Sequence, residues 1–185
     1  MFKKLLLALF VAGLTFHLPA QVMGSAQGPA PQWYIGAEYS RLNPDYWAYP
    51  TIYMNGLSVY GGRNVYVRHR LGFGLEGTWR TLLDRYSGTH REDSYLLSGR
   101  FLYRINRFSP FIKGGGGFGD FNTEGNPTPG QNGIHLIGAV GAGLDMRLTS
   151  HIYIRPVEWE QQVWRFSPHL LGPHSWSFGA AYRFP

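Results

Sequence analysis

Few residues in this chain are of the types and spacings that do chemistry. His174 stands beside Ser175, the minimum for an activated nucleophile, and Glu158 or Glu160 could orient the imidazole. Adjacent residues on a strand point to opposite faces, however, so on an extended segment this pair would not meet. His69, His90, His135, His151, His169 and His174 lack a compact metal-ligand spacing. GGGGFG, ending at Gly119, has the glycine content of a phosphate loop without the Lys and Ser or Thr that must follow it. Such a run suits a crowded or strongly curved strand better. The sequence therefore assigns no catalytic, cofactor-binding or metal residue.

Two sets of residues remain. One is a series of charges of both signs, Glu38, Glu76, Arg80, Arg100, Lys113, Asp145, Arg147, Glu158 and Glu160, each at alternate positions in an otherwise apolar stretch. The other is DYWAYPTIYMN, which gathers Tyr46, Trp47, Tyr49 and Tyr53 between two such stretches, a composition suited to binding surfaces. Both must be placed by the elements around them. The chain has 185 residues, the size of one domain, with 25 Gly, 16% aromatics and only 15% charged residues. This balance favours close-packed strands over surface helices.

Eight segments alternate with a period of two. QWYIGAEYSR sets Trp33, Ile35, Ala37 and Tyr39 against Gly36, Glu38 and Ser40. LSVYGGRNVYV is blurred at Gly61 and Gly62, where a bulge is expected. LGFGLEGTWRT opposes Leu75 and Trp79 to Glu76 and Arg80. SYLLSGRFLYR opposes Tyr95, Leu97 and Phe101 to Ser98 and Arg100, with Leu96 and Leu102 as exceptions. PFIKGGGGFG places Ile112 and Phe118 opposite Lys113. IHLIGAVGAGLDMRL alternates Leu136, Val140, Leu144 and Met146 with Ala139, Gly141, Asp145 and Arg147. HIYIRPVEWEQQVW gives Val157 and Trp159 against Glu158, Glu160 and Gln162, with Pro156 as a bulge or edge. WSFGAAYRF puts Trp176, Phe178, Tyr182 and Phe184 against Ser177, Gly179 and Arg183. The connections are long and short in strict turn, which predicts an antiparallel meander with long loops at one end and tight turns at the other.

Alternation alone does not say which face is outside. A soluble barrel hides its apolar face, and a membrane barrel inverts the arrangement. Here the apolar faces carry Trp33, Tyr39, Trp79, Tyr95, Tyr103, Trp176 and Phe184 near strand ends, as interfacial girdles would. The charges on the other face can pair in a narrow lumen, whereas a basic residue facing lipid at midplane costs about 2–4 kcal/mol. An even strand count permits closure, leaving no open edge in the bilayer.

The N-terminus, MFKKLLLALFVAGLTFHLPAQVMGSAQ, has two lysines, an apolar run too short to span as a helix, and small residues. It predicts a signal peptide over residues 1–26, cut after Ala20 or Ala26, and a barrel domain over 27–185. Removing it takes away Lys3 and Lys4, lowering the formal charge from +6 to +4. The remaining arginines are scattered singly, so no nucleic-acid partner is expected. The chain has no cysteine, which excludes a disulfide scaffold.

The final SFGAAYRF carries a polar residue, a glycine two places on, then two aromatics two apart, at Ser177, Gly179, Tyr182 and Phe184. It resembles the assembly signal of the small outer-membrane β-barrel proteins of Gram-negative bacteria, the group of the OmpA transmembrane domain and OmpX. Pro185 departs from that pattern, because these proteins commonly end on the aromatic. The resemblance spans the mature chain. It implies an all-β, eight-stranded antiparallel up-and-down transmembrane barrel in the cell outer membrane, with both termini periplasmic and four external loops. It also implies contact with outer-membrane lipids and lipopolysaccharide and with the barrel assembly machinery, and no cofactor. The expected role is structural or surface interaction, with an unknown surface ligand. The alternatives are a lipid A-modifying enzyme, against which the absence of a His-x-Ser-Asn arrangement counts, a narrow pore, or a soluble lipocalin-like barrel.

Overall fold

A computed structural model describes residues 33–45, 53–83, 90–123, 132–165 and 170–184. The expected signal peptide lies outside the described residues, as do Tyr46, Trp47 and Tyr49. The regular elements are β1 (Trp33–Asn43), β2 (Met54–Arg68), β3 (Leu71–Leu82), β4 (His90–Tyr103), β5 (Phe108–Thr123), β6 (Gly133–Arg147), β7 (Ile152–Arg165), β8 (Leu170–Leu171) and β9 (His174–Arg183). Each strand pairs antiparallel with its neighbour in sequence from β1 to β7. The two-residue β8 and β9 both pair with β7, and Gln162 N–H donates to Pro173 O at 2.8 Å between them. They form one stave. β9 then pairs with β1 through Glu38↔Gly179 and Ser40↔Ser177, closing an eight-stave barrel with no free edge.

The tight turns fall at one end, together with the first and last strand residues. Ile105 and Phe108 exchange both backbone hydrogen bonds at 2.8 Å around Asn106, whose φ of 55° is a conformation that Asn tolerates better than most residues. At the β6–β7 turn, Thr149 Oγ1 accepts from the backbone N–H of His151 and Ile152. The long connections all leave from the opposite end.

Burial settles which face is outside. Leu97 and Ile112 are 63% and 62% exposed, while Glu76 and Glu158 are 0% exposed. The apolar face is therefore on the outside and the charged face within. Water would not tolerate so continuous an apolar girth, and hydrocarbon favours it. The outward aromatics form two belts. Trp33, Tyr103, Tyr182 and Phe184 stand at the turn end, and Tyr182 and Phe184 make an edge contact at 5.2 Å. Towards the loop end, Tyr39 lies 5.5 Å from Phe178 and Trp79 is in register with Tyr95.

Three details differ from the sequence expectation. The β2 register shifts between Asn64 and Tyr66, so the bulge is at Val65 and not at Gly61 and Gly62. Leu96 and Leu102 do take the inward phase with Ser98 and Arg100, as expected, and the difference lies in their role, since both are buried as apolar packing inside the lumen. β5 runs on to Thr123, and its glycines lie in its middle. The glycines at 115 and 117 fall on the inward phase where β5 lies tight against β4: a Cβ at Gly117 would run into the carbonyl oxygen of Tyr95. Gly114 has no neighbour nearer than 3.9 Å. Gly117→Ala is therefore expected to destabilise the barrel by about 1–3 kcal/mol and Gly114→Ala to leave it nearly unchanged. The midpoint of urea unfolding in detergent micelles, followed by tryptophan fluorescence, checks both.

Candidate functional site

The interior is organised around Arg155. Uninterrupted alternation would place this residue outward with Val157 and Trp159. The register between β7 and β9 shifts between Arg155 and Glu158, so Pro156 and Val157 both face out and the phase is reset. Arg155 consequently enters the lumen with Tyr153, Glu158 and Glu160. Its Nη1 lies 2.7 Å from Glu38 and 2.6 Å from Glu158, its Nη2 3.0 Å from Glu76, and its Nε 2.9 Å from Asp145. The guanidinium stacks over the rings of Tyr60 and Phe111, at 4.1 and 4.6 Å from their centroids. Sequence reasoning missed this residue. The signal that could have found it is a basic side chain on the lipid phase immediately before a strand proline.

The other members fill the space around it. Lys113 Nζ bridges Glu158 at 2.6 Å and Glu160 at 2.8 Å, and reaches Glu76 at 3.5 Å. Arg100 pairs with Asp145 and sits 3.7 Å from Glu76, which also accepts from the Tyr34 hydroxyl at 3.0 Å. Arg80 bonds Glu160 at 2.9 Å and the Ser58 hydroxyl at 3.1 Å. Ser177 donates to Ser40 at 3.0 Å, and Ser40 is 3.3 Å from Ser58, which carries a polar belt from β9 through β1 and β2 to β3. The structure thus brings together Glu38, Glu76, Arg80, Arg100, Lys113, Asp145, Glu158 and Glu160. Arg147 is a correction. It continues the inward phase of β6 but lies beyond the network, exposed at the turn end, because phase fixes direction and not depth.

Apolar residues close both ends of this network. Leu96, Phe121, Ile137, Ala139, Leu171 and the fully buried Trp164 cluster towards the loops, with the Trp164 indole donating to Gln162 at 2.7 Å. Leu102, Phe111 and Tyr153 are buried towards the turns. An interior of eight strands is about filled by side chains, and this one is.

The remaining expected positions are placed as follows. On β9, Ser177 and Gly179 face the lumen at the closing seam. Gly179 is in register with Glu38 on one side and Arg155 on the other. A Cβ there would run into the Ala37 carbonyl oxygen and lie 2.6 Å from the Glu38 side chain, so the glycine permits both the close approach of β1 and the passage of that ion pair across β9. Tyr182 and Phe184 face outward at the turn end, and Phe184 N–H donates to Trp33 O at 2.9 Å. Tyr53 stands at the loop rim, half exposed, with the Arg41 guanidinium over its ring at 5.3 Å. Ser175 is buried in the lumen while His174 takes the opposite phase, so the two do not converge. His69 and His151 lie in the β2–β3 and β6–β7 turns, His135 on β6 and His174 on β9.

A closed antiparallel barrel, apolar outside and ionic within, is a transmembrane β-barrel. The sequence agrees: the model of the outer membrane protein beta-barrel domain family matches residues 7–184, and the chain belongs to that family. A search of the curated proteins finds no match. Solved structures similar in fold include Neisserial surface protein A, with 12% identity, a TM-score of 0.56 and coverage of 82% of this chain and 95% of that one. Ail, the attachment invasion locus protein of Yersinia pestis, is 18% identical at a TM-score of 0.53, covering 83% and 97%. The N-terminal β-barrel domain of Pseudomonas aeruginosa OprF is 13% identical at 0.55, covering 83% and 99%.

Arg155→Met would leave four carboxylates buried without their common partner. It is expected to cost about 3–5 kcal/mol of stability, whereas Arg147→Gln should change it by less than about 0.5 kcal/mol. Denaturant unfolding of the two purified variants in micelles measures the difference.

Proposed function

We propose that the protein resides in the cell outer membrane and acts there as a structural or surface-interaction barrel that carries out no chemistry. The observation that carries this reading is the sealed interior: Glu76, Glu158 and Trp164 are all 0% exposed, which argues against both a conducting path and an open catalytic cleft. In the same reading the termini and tight turns face the periplasm and the four long connections face outward, contacting lipopolysaccharide at their base and a surface ligand at their tips. Tyr46, Trp47, Tyr49 and Tyr53 belong to the first of these connections. The fold shared with Ail, which is by name an attachment protein, supports a contact role. Ser177, Gly179, Tyr182 and Phe184 are proposed to address the chain to the barrel assembly machinery.

Cells displaying the protein are expected to bind a surface ligand that cells with Tyr46, Trp47, Tyr49 and Tyr53 all changed to Ser do not bind, as measured by adhesion to immobilised host and glycan surfaces. Lipid A should keep its acyl pattern by mass spectrometry with and without the protein, and planar bilayers should show no unitary current. A changed acyl pattern would establish an enzyme, and discrete current steps a pore. Phe184→Asp should deplete the folded, heat-modifiable form in outer-membrane fractions, and normal insertion of that variant would refute the address role.

A further inference from the structure

The three tight turns carry charge of one sign. RHR from Arg68, RINR from Arg104 and RLTSH from Arg147 hold five arginines and no Asp or Glu. At the first of these turns the cations meet an apolar surface, and the bulge at Val65 is the reason. Uninterrupted alternation from Val59 would send Val67 outward and Arg68 into the lumen. Because Val65 and Tyr66 both face out, the phase is reset, and Arg68 emerges on the lipid flank. There it is in register with Leu71, which is itself in register with Tyr103.

Tyr66, Leu71 and Tyr103, all exposed on the outer face, line a groove of about 700 Å³ together with Arg68, His69 and Arg70. The groove is held in shape from its β4 side, where Arg104 N–H donates to Arg70 O at 2.7 Å next to Tyr103. Its depth suits headgroups. Tyr103 belongs to the turn-end aromatic belt, the level at which such rings meet the lipid interface, and an arginine on the lipid-facing phase is tolerated there because its head reaches water and phosphate. Guanidiniums present paired donors that match phosphate oxygens. A water-borne anion would engage the arginines and leave the wall of Tyr66, Leu71 and Tyr103 uncovered, whereas a phospholipid covers both. A zwitterionic headgroup brings its own cation to this positive turn, and a net-negative one does not.

We propose that the groove at the β2–β3 turn binds a phospholipid of net negative headgroup from the turn-end leaflet, its phosphate held by Arg68 and Arg70 and its apolar part laid against Tyr66, Leu71 and Tyr103. The site rests on the membrane-spanning fold and is independent of what the long loops bind. Native mass spectrometry of the folded protein, released from nanodiscs of phosphatidylcholine with a minor share of phosphatidylglycerol, is expected to show retained phosphatidylglycerol. Arg68→Gln with Arg70→Gln should lower that retention about tenfold or more, the scale of losing charge-assisted hydrogen bonds. Arg104→Gln with Arg147→Gln removes the same charge from the neighbouring turns and should leave retention unchanged. Tyr66→Ser with Leu71→Ser should also lower it, although no charge is lost. Unaltered heat-modifiable mobility shows that each variant is folded, and the single Arg70→Gln, on an exposed turn, carries the comparison should the double variant not fold. No preference for phosphatidylglycerol over phosphatidylcholine, or equal loss in the two double arginine variants, would overturn the proposal. So would release of the lipid by inorganic phosphate, which would make a water-borne anion the occupant.

Discussion

A guanidinium cannot be left alone in a barrel whose outside is hydrocarbon, and the position of Arg155 therefore governs much of the rest of the molecule. Once the β7 bulge turns it inward, Glu38, Glu76, Asp145 and Glu158 must converge on it from β1, β3, β6 and β7. Those four acids in turn need Arg100 and Lys113 to avoid an excess of negative charge in a space with almost no water. The network reaches strands on opposite sides of the barrel. Its value lies as much in selecting one register and one closure as in net stabilisation, because buried ion pairs recover little free energy beyond the desolvation they suffer.

The same constraint explains the distribution of small residues. Long charged side chains and rings fill the lumen only if some strands give up side chains to make room. Gly119 lies beneath the Trp164 indole, and Gly36 beneath Tyr60. The high glycine content, which the sequence already ascribes to crowded or curved strands, is therefore a packing feature, set by the few ångströms available between facing strands. Outside, the residues have only lipid to satisfy, and size and apolarity suffice there.

Much of this was legible from the sequence because a two-residue period is imposed directly by strand geometry. The eight segments, the long and short connections and most of the interior charges follow from it. What was not legible were the places where the period breaks. Arg155 was hidden by the paired outward residues Pro156 and Val157. The bulge at Val65 was assigned to the more conspicuous glycines nearby. Arg147 shows a second limit: alternation tells which way a side chain points but not how far along the axis it sits, so a mouth residue and a core residue look alike. Tyr46, Trp47 and Tyr49 fall between two alternating segments of the sequence, where no period constrains what they do.

The seam between β1 and β9 has a consequence for how the molecule comes into being. Ser40 and Ser177 are 137 positions apart, and Glu38 and Arg155 are 117 apart. Neither pair can form until nearly the whole chain is present, so no early portion can complete its polar core or bury its open edges. Loop closure over such spans is entropically unfavourable and slow, which makes for late, all-or-none maturation. The chain must therefore reach its bilayer with its most adhesive surfaces still unpaired, and any delay on the way is time in which those edges can join another chain instead.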